Sequence, residues 1–206
     1  MSSIVYWLND NPYLNITNRC SNGCRFCLKH FRYGVAGYDL ILDREPTIYE
    51  IKREMRKSIR SHYRIPWEMA VFCGFGEPTI RLDTVLEIAD WIKLCYRKST
   101  RLITNGHGYL LNPGRDIVEE LQRAGIRSVS VSLNAHDKGT YNKICVPRFG
   151  EDTFYAVLEF IRRCARVFDT EITAVNIEGV DTGEIERIAN DMGVRPRIRD
   201  YISPIW

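Results

Sequence analysis

The sequence predicts an α/β fold in which parallel strands alternate with helices packed outside them. Short apolar runs of strand character alternate about six times with longer segments of helical period, and the joints between them are short. Such alternation is typical of parallel strands joined by helices. Six units are fewer than the eight of a complete barrel, so the pattern fits an open, partial barrel or a flat doubly wound sheet.

The first half of the chain contributes a strand pair, a loop, two helices and a strand. The turn over residues 9–12 separates two short apolar runs and predicts a hairpin. Residues 31–46 hold two glycines and no steady period, which favours a loop. Thr47 and Glu50 form a capping box that marks a helix start. The other expected bounds are a helix end near residue 60, a strand over 69–73 and a helix over 82–96.

The second half continues the alternation. Asn105-Gly106 ends a strand, Asn112-Pro113 opens a helix that stops at Gly125, and Gly193 ends the last helix. The expected strands are residues 101–104, 128–133, 171–177 and 194–201, and the expected helices are 112–125, 154–167 and 183–192.

Composition and length are those of one ordinary globular domain. The 206 residues are 45% hydrophobic and 27% charged, with a net charge of +3, which does not indicate a nucleic-acid-binding protein. No signal peptide is visible and no run approaches the roughly 18 apolar residues of a membrane span, so we expect a cytoplasmic protein that does not contact a membrane. We expect a single domain over residues 1–206, with an N-terminal β hairpin over 1–16 and no C-terminal extension domain.

Three cysteines follow the first strand pair. Cys20, Cys24 and Cys27 have the spacing C-x3-C-x2-C, so their thiolates can converge on one metal centre. Gly23 is expected to let the backbone turn tightly between them. A [4Fe–4S] cluster normally takes four thiolates, so three would leave one iron open to a substrate or cofactor. His30, three residues after Cys27, keeps a Cys3His zinc site as an alternative.

The cysteine motif, with Phe26 as its aromatic residue, resembles the signature of the radical S-adenosylmethionine (SAM) superfamily. A second match, Cys73-Gly-Phe-Gly-Glu-Pro-Thr79, is similar to the Gly-Gly-Glu-Pro motif of that family. The resemblance implies a partial (βα)6 barrel related to the TIM barrel. It also implies that Cys20, Cys24 and Cys27 are the metal ligands and catalytic residues, and that SAM chelates the open iron. The reduced cluster then cleaves SAM to a 5′-deoxyadenosyl radical, which abstracts hydrogen from the substrate.

The same resemblance supplies expected SAM contacts. Backbone groups around Gly74 and Gly76 would bind the methionine amine of SAM, with Glu77 supporting that contact and Pro78 fixing the exit of the turn. Two weaker matches lie at the ends of the next strands, and these cofactor-binding candidates are Asn105, Ser132 and Asn134, alongside Phe26 in the cysteine motif.

Within the superfamily, the sequence around Cys20 and Cys73 most resembles the TatD-linked radical SAM proteins. Pyruvate formate-lyase activating enzymes are similar in size and motif layout. Arg199, on the last strand with Arg195 and Arg197, is expected either to reach inward to a carboxylate or to lie on a solvated edge. Further residues are expected either in the core or at the active site, namely Cys73, Cys145, His107 and His136, whereas Cys95 and Cys164 are expected in the core.

The expected partners are an electron donor of flavodoxin or ferredoxin type and a substrate. Because we expect no covering domain, we expect a large substrate, either a peptide, a protein or a nucleic acid, that closes the barrel opening; a homodimer is the competing arrangement. Two functions remain as alternatives: a zinc-stabilised binding module without catalysis, and a protein that binds SAM and a cluster without radical turnover.

Overall fold

The computed structural model describes residues 2–31 and 34–202. Its strands are β1 (Val5–Leu8), β2 (Asn11–Leu14), β3 (Gly34–Val35), β4 (Tyr38–Asp39), β5 (Met69–Phe72), β6 (Ser99–Thr104), β7 (Ile126–Ser132), β8 (Asp169–Asn176) and β9 (Arg195–Asp200). Its α-helices are α1 (Ile48–Ser61), α2 (Leu82–Tyr96), α3 (Gly108–Leu111), α4 (Ile117–Ala124), α5 (Lys138–Cys145), α6 (Thr153–Ala165) and α7 (Thr182–Asp191). Short 3₁₀ helices lie at Leu28–His30 and Pro78–Arg81.

Seven strands form one sheet in the order β1-β2-β5-β6-β7-β8-β9. β1 pairs with β2 antiparallel, and the other five neighbouring pairs are parallel. From β2 onward the spatial order follows the chain order, so right-handed crossovers place the connecting helices on the same face of the sheet. This arrangement confirms the α/β partial barrel and excludes the doubly wound sheet, whose strand order must reverse.

The two faces of the sheet differ in polarity. On β7 the outward residues Val129 and Val131 belong to one apolar core that fills the space between the sheet and the helices. The alternate residues face the barrel interior and are polar, as Ser130 on β7 and Glu171 on β8 show. Buried polar side chains therefore line the inside of the barrel.

Several expected elements match the structure closely. The N-terminal hairpin turns at Asn9 and Asp10, both with positive φ. The Thr47 side chain accepts a hydrogen bond from the Glu50 backbone, and the Glu50 carboxylate accepts one from the Thr47 N–H, which completes the capping box. Gly125 ends α4 with a φ of 101°, a conformation that favours glycine.

Other expectations are wrong in detail. The expected loop over residues 31–46 contains the small hairpin of β3 and β4. The helix expected from Asn112 begins only at Ile117, because the Asp116 side chain accepts a hydrogen bond from the Glu119 N–H and caps it there. The sequence did not predict the helix α5, and Cys145 is its last residue.

Within the described ranges, none of the helices combines the length and the apolar character that crossing a membrane requires.

Candidate active site at the carboxyl ends of the strands

The cysteine loop, residues 20–27, follows β2 at the carboxyl edge of the sheet. Its three cysteines are partly buried and are not joined in disulfides. The loop lies against the end of α5, where the Gly23 N–H donates to the Cys145 carbonyl at 3.0 Å and the Arg25 N–H donates to the Ile144 carbonyl at 2.9 Å. Gly23 does not have a positive φ, and a Cβ there would meet its nearest neighbour at 3.7 Å, so neither backbone conformation nor a close contact requires glycine at this position.

The three thiols differ in their electrostatic surroundings. Burial, aided by the nearby charge of Glu77, raises the pKa of Cys20 to about 11. Burial also raises the pKa of Cys27. A hydrogen bond with the buried thiol of Cys145 lowers the pKa of Cys24 and raises that of Cys145. Cys24 is thus the member of the loop that most readily becomes a thiolate, the form that binds metal.

A buried chain of side chains fastens the loop to β6 and α5. Ser21 Oγ lies 2.8 Å from His107 Nδ1, and His107 Nε2 lies 2.8 Å from the Tyr141 hydroxyl. The Asn22 amide donates to the same hydroxyl at 3.2 Å. The Asn105 amide donates to Ser21 Oγ at 2.9 Å and approaches Cys20 Sγ at 3.7 Å. Asn105, an expected cofactor contact, therefore reaches the loop beside its first cysteine.

His107 is completely buried, and both of its ring nitrogens have protein partners. Burial lowers its pKa to about 4, so the ring is neutral near pH 7. With no exposed nitrogen, His107 is not placed to touch a substrate. It serves instead to hold the cysteine loop against the barrel.

Glu77 is buried at the turn after β5. Its Oε1 accepts from the Thr79 N–H at 3.0 Å and from the Thr79 and Thr104 hydroxyls at 2.7 Å. Its Oε2 accepts from the Asn105 N–H at 2.6 Å. Burial raises the pKa of Glu77, and these hydrogen bonds oppose the rise. The carboxylate thus joins the end of β5 to the end of β6.

The glycines of the Gly-Phe-Gly-Glu turn permit a close approach between two backbone segments. A Cβ on Gly74 would lie 2.2 Å from Asn15 Oδ1. A Cβ on Gly76 would lie 2.3 Å from the Thr17 carbonyl and 2.5 Å from the Arg19 carbonyl. Both glycines therefore pack against residues 15–19, which lead directly into the cysteine loop.

The remaining expected contacts also lie at this edge. Pro78 is buried and opens the 3₁₀ helix after the turn, and Phe26 packs against the apolar core. Ser132 is partly buried, with its hydroxyl 3.3 Å from Thr173 Oγ1. Asn134 has a φ of 58°, and its buried Oδ1 has no hydrogen-bond partner among the described residues.

Other sequence candidates are spread more widely. Cys73 lies at the end of β5, where the Tyr6 hydroxyl donates to its carbonyl. His136 Nδ1 accepts a hydrogen bond from the Asp181 N–H, and Nε2 contacts the Asp137 carboxylate, so His136 stabilises the start of α7. Cys164 is buried as expected, but Cys95 is exposed, because it lies on the outer side of α2. His30 ends the 3₁₀ helix after Cys27 and lines a small cavity with Phe75.

The chemical types of the donor groups fit an iron–sulfur cluster with SAM. Three thiols on one loop match the chemistry of thiolate ligation. The buried Oδ1 of Asn134, at the same edge, is an acceptor to which none of the described residues donates a hydrogen bond. No three His, Cys, Asp or Glu side chains in residues 2–31 and 34–202 are gathered closely enough to hold a single metal ion.

A family model described as the radical SAM superfamily matches residues 14–192, which is most of the chain. The chain belongs to the radical SAM superfamily. Members of this superfamily are enzymes that use a [4Fe–4S] cluster and SAM, and they need a reductant and a substrate. This membership favours an iron–sulfur centre over the zinc alternative.

Curated relatives match most of this chain in sequence, and a solved structure matches it in fold. A GTP 3′,8-cyclase of Aliarcobacter butzleri is 25% identical over 84% of this chain and 48% of the relative. A GTP 3′,8-cyclase of Acidothermus cellulolyticus is 27% identical over 92% of this chain and 50% of the relative. The crystal structure of HydG, a maturase of the [FeFe]-hydrogenase, matches with a TM-score of 0.65 at 15% identity over 94% of this chain and 43% of that chain. The chain thus spans about half the length of these curated relatives.

Sequence reasoning missed two supporting residues of this radical SAM chain, Ser21 and Tyr141. Ser21 lies inside the cysteine motif, so its position was visible although its partners were not. Tyr141 gave no signal, because its helix was not expected.

The close approach at Gly76 predicts a selective effect of a methyl group. Gly76→Ala should lower the free energy of unfolding by about 1–3 kcal/mol, because its Cβ would overlap two backbone carbonyls. Gly23→Ala is the matched control, since its nearest neighbour would lie at 3.7 Å. Urea unfolding followed by circular dichroism measures both. Equal losses in the two variants would contradict the packing described here.

The buried His107 predicts a pH dependence of stability. Its pKa is 6.5 when unfolded and about 4 when folded, so its stabilisation is complete above about pH 6.5 and is lost as the pH falls toward 4. Between pH 7.5 and pH 5 the loss should be about 2 kcal/mol. His107→Gln, which cannot titrate, should lose about that much less over the same range in urea unfolding of the iron-free chain. The same pH dependence in both proteins would show that His107 does not titrate as a buried group.

Proposed function

We propose that this chain is the core of a radical SAM enzyme in which Cys20, Cys24 and Cys27 hold a [4Fe–4S] cluster and leave one iron open for SAM. The observation that carries the proposal is the arrangement of three partly buried, unpaired thiols on one loop at the carboxyl edge of the barrel. When bound and reduced, the cluster supplies the electron that cleaves SAM to the 5′-deoxyadenosyl radical.

The turn after β5 supports a SAM site beside the loop. Its backbone is held against residues 15–19 by the Glu77 N–H, which donates to the Arg19 carbonyl at 2.8 Å. We infer that the backbone at Gly74 and Gly76 binds the methionine amine of SAM, with Pro78 fixing the end of the turn. Glu77 holds the turn in place through its hydrogen bonds to the end of β6 rather than by reaching the cofactor itself.

The ends of β6 and β7 complete the inferred SAM site. The Asn134 side chain offers an unpaired acceptor in a left-handed backbone conformation. Ser132 lies next to it on the same edge, and Asn105 lies between the cysteine loop and the Glu77 turn. In this proposal Asn134 and Ser132 bind SAM, Asn105 orients the loop around Cys20, and Phe26 shields the thiols from water.

The proposal extends to the partners and the limits of the domain. A low-potential protein of flavodoxin or ferredoxin type would supply the electron. Residues 1–206 would form one core domain, which is supported by the single seven-stranded sheet.

The resemblance to TatD-linked proteins and pyruvate formate-lyase activating enzymes stays a prediction, and the curated relatives carry the name GTP 3′,8-cyclase. Because the chain spans about half the length of those relatives, its length does not bear on the size of the substrate.

The cluster assignment predicts which cysteines hold iron. After anaerobic reconstitution, the wild-type chain should carry about four irons and four sulfides, with an absorbance near 400 nm. Cys24→Ala should lose that absorbance and most of the iron, because two thiolates do not retain the cluster. Cys95→Ala is the control, since Cys95 is exposed on α2, and it should match wild type.

Circular dichroism separates loss of the cluster from loss of the fold. Iron retained at wild-type level by a folded Cys24→Ala variant would overturn the ligand assignment. Zinc in place of iron and sulfide would instead favour the binding-module alternative.

A further inference from the structure

The edge strand β9 carries three arginines on the face that points into the barrel. Its register sets Arg197 opposite Thr173 and Arg199 opposite Val175 on β8, while Ile198 packs toward the apolar core. Arg195 lies at the start of the strand, where it donates to both carboxylate oxygens of Asp169 at 2.9 Å. The other two arginines lie farther along, toward the carboxyl edge that bears the cysteine loop.

Among the described residues, Arg197 and Arg199 have little carboxylate nearby. Glu171, which lies near Arg197, is already paired with Arg101 and accepts a hydrogen bond from Ser130 on the neighbouring strand. Arg197 reaches it only at 3.8 Å. Arg101 and Arg197 thus share one carboxylate, and Arg199 adds a further positive charge beside them.

Arg199 has no ion-pair partner among the residues that the structure describes. Its recorded hydrogen bond runs from Nη2 to Thr173 Oγ1, at 3.2 Å, although a guanidinium carries five N–H donors. Although Arg199 is an exposed residue, partial burial of its guanidinium lowers its pKa, and the charge of Arg197 acts in the same direction. Its unused donors face solvent and are therefore accessible to an anion that arrives from solution.

We propose that Arg199, with Arg197 beside it, forms a subsite that binds a carboxylate or phosphate group of the substrate. The inference rests on the proposed function, because it places the substrate in the same barrel as the cluster. The guanidinium fork of Arg199 suits the two oxygens of a carboxylate or a phosphate.

The proposed subsite lies close to the strand ends that carry the inferred SAM contacts. The Thr173 hydroxyl, which accepts from Arg199, lies 3.3 Å from the Ser132 hydroxyl. The Thr173 carbonyl accepts a hydrogen bond from the Asn134 N–H at 3.3 Å. An anion bound at Arg199 therefore lies next to the residues that we infer hold SAM. Among the described residues β9 is an edge strand of the sheet, and we infer that the substrate approaches the subsite along it.

Anion binding to the reconstituted chain tests the subsite. Isothermal titration with pyrophosphate and with succinate, at low salt and in the presence of saturating S-adenosylhomocysteine, shows which oxyanion binds beside the cofactor. At least one of the two should bind, and Arg199→Gln should weaken that binding at least tenfold. Arg199→Lys, which keeps the charge but loses the fork, should weaken it by less.

Arg195→Gln is the matched control, because Arg195 is on the same face of β9 but is already paired with Asp169. It should change the affinity by less than about twofold. Equal weakening by Arg195→Gln and Arg199→Gln would show general electrostatic attraction and overturn the subsite. Binding of neither anion to the wild-type chain would also overturn it.

A titration without S-adenosylhomocysteine separates the substrate subsite from the carboxylate position of SAM. An anion that binds only in the absence of S-adenosylhomocysteine occupies the cofactor position, which contradicts the proposal. A chain that holds the cluster and binds S-adenosylhomocysteine but no anion would refute the subsite alone. A chain that binds neither cluster nor S-adenosylhomocysteine would refute the proposed function, and the anion titration of the same chain would still decide the role of Arg199.

Discussion

The buried carboxylate of Glu77 joins the two strand ends on which the candidate site is built. It accepts hydrogen bonds from Thr79 in its own turn and from Thr104 and Asn105 at the end of β6. A buried carboxylate without such donors would cost several kcal/mol of desolvation. The geometry of both strand ends is therefore coupled to this one group, and Asn105 extends the coupling to the cysteine loop through Ser21.

The cysteine loop depends on that coupling because most of it lacks regular secondary structure. Three parts of the barrel position it: the Glu77 turn at its base, Asn105 and His107 after β6, and the end of α5. The contact with α5 is also electrostatic, since Cys145 donates to Cys24 and favours its thiolate. The shape of the loop and the pKa values of its thiols thus depend on residues distant in the chain. The side chains that position the loop are polar and buried, so this edge of the barrel is more polar than the rest of the core.

The parts of the site that are local in sequence could be predicted, and the parts that depend on distant contacts could not. Cys20, Cys24, Cys27 and the Gly74–Pro78 turn were found because short spacings carry their chemistry. The close packing of Gly74 and Gly76 against residues 15–19, by contrast, could not be predicted from the sequence, because it depends on contacts between segments distant in the chain. The pairing of His107 with Tyr141 spans 34 positions and depends on a helix with weak sequence signals. The α4 boundary was misplaced because capping by Asp116 prevailed over the Pro113 signal.

The most direct test of the account is the formation of 5′-deoxyadenosine. The chain is purified anaerobically, its cluster is rebuilt with iron and sulfide, and SAM is added after reduction with dithionite; the product is quantified by chromatography. The account predicts that wild type and Cys95→Ala release 5′-deoxyadenosine, and that alanine variants of Cys20, Cys24 and Cys27 each release none. Release by any of those three variants at the wild-type rate, or no release by a wild-type chain that carries a reduced cluster and bound SAM, would contradict it.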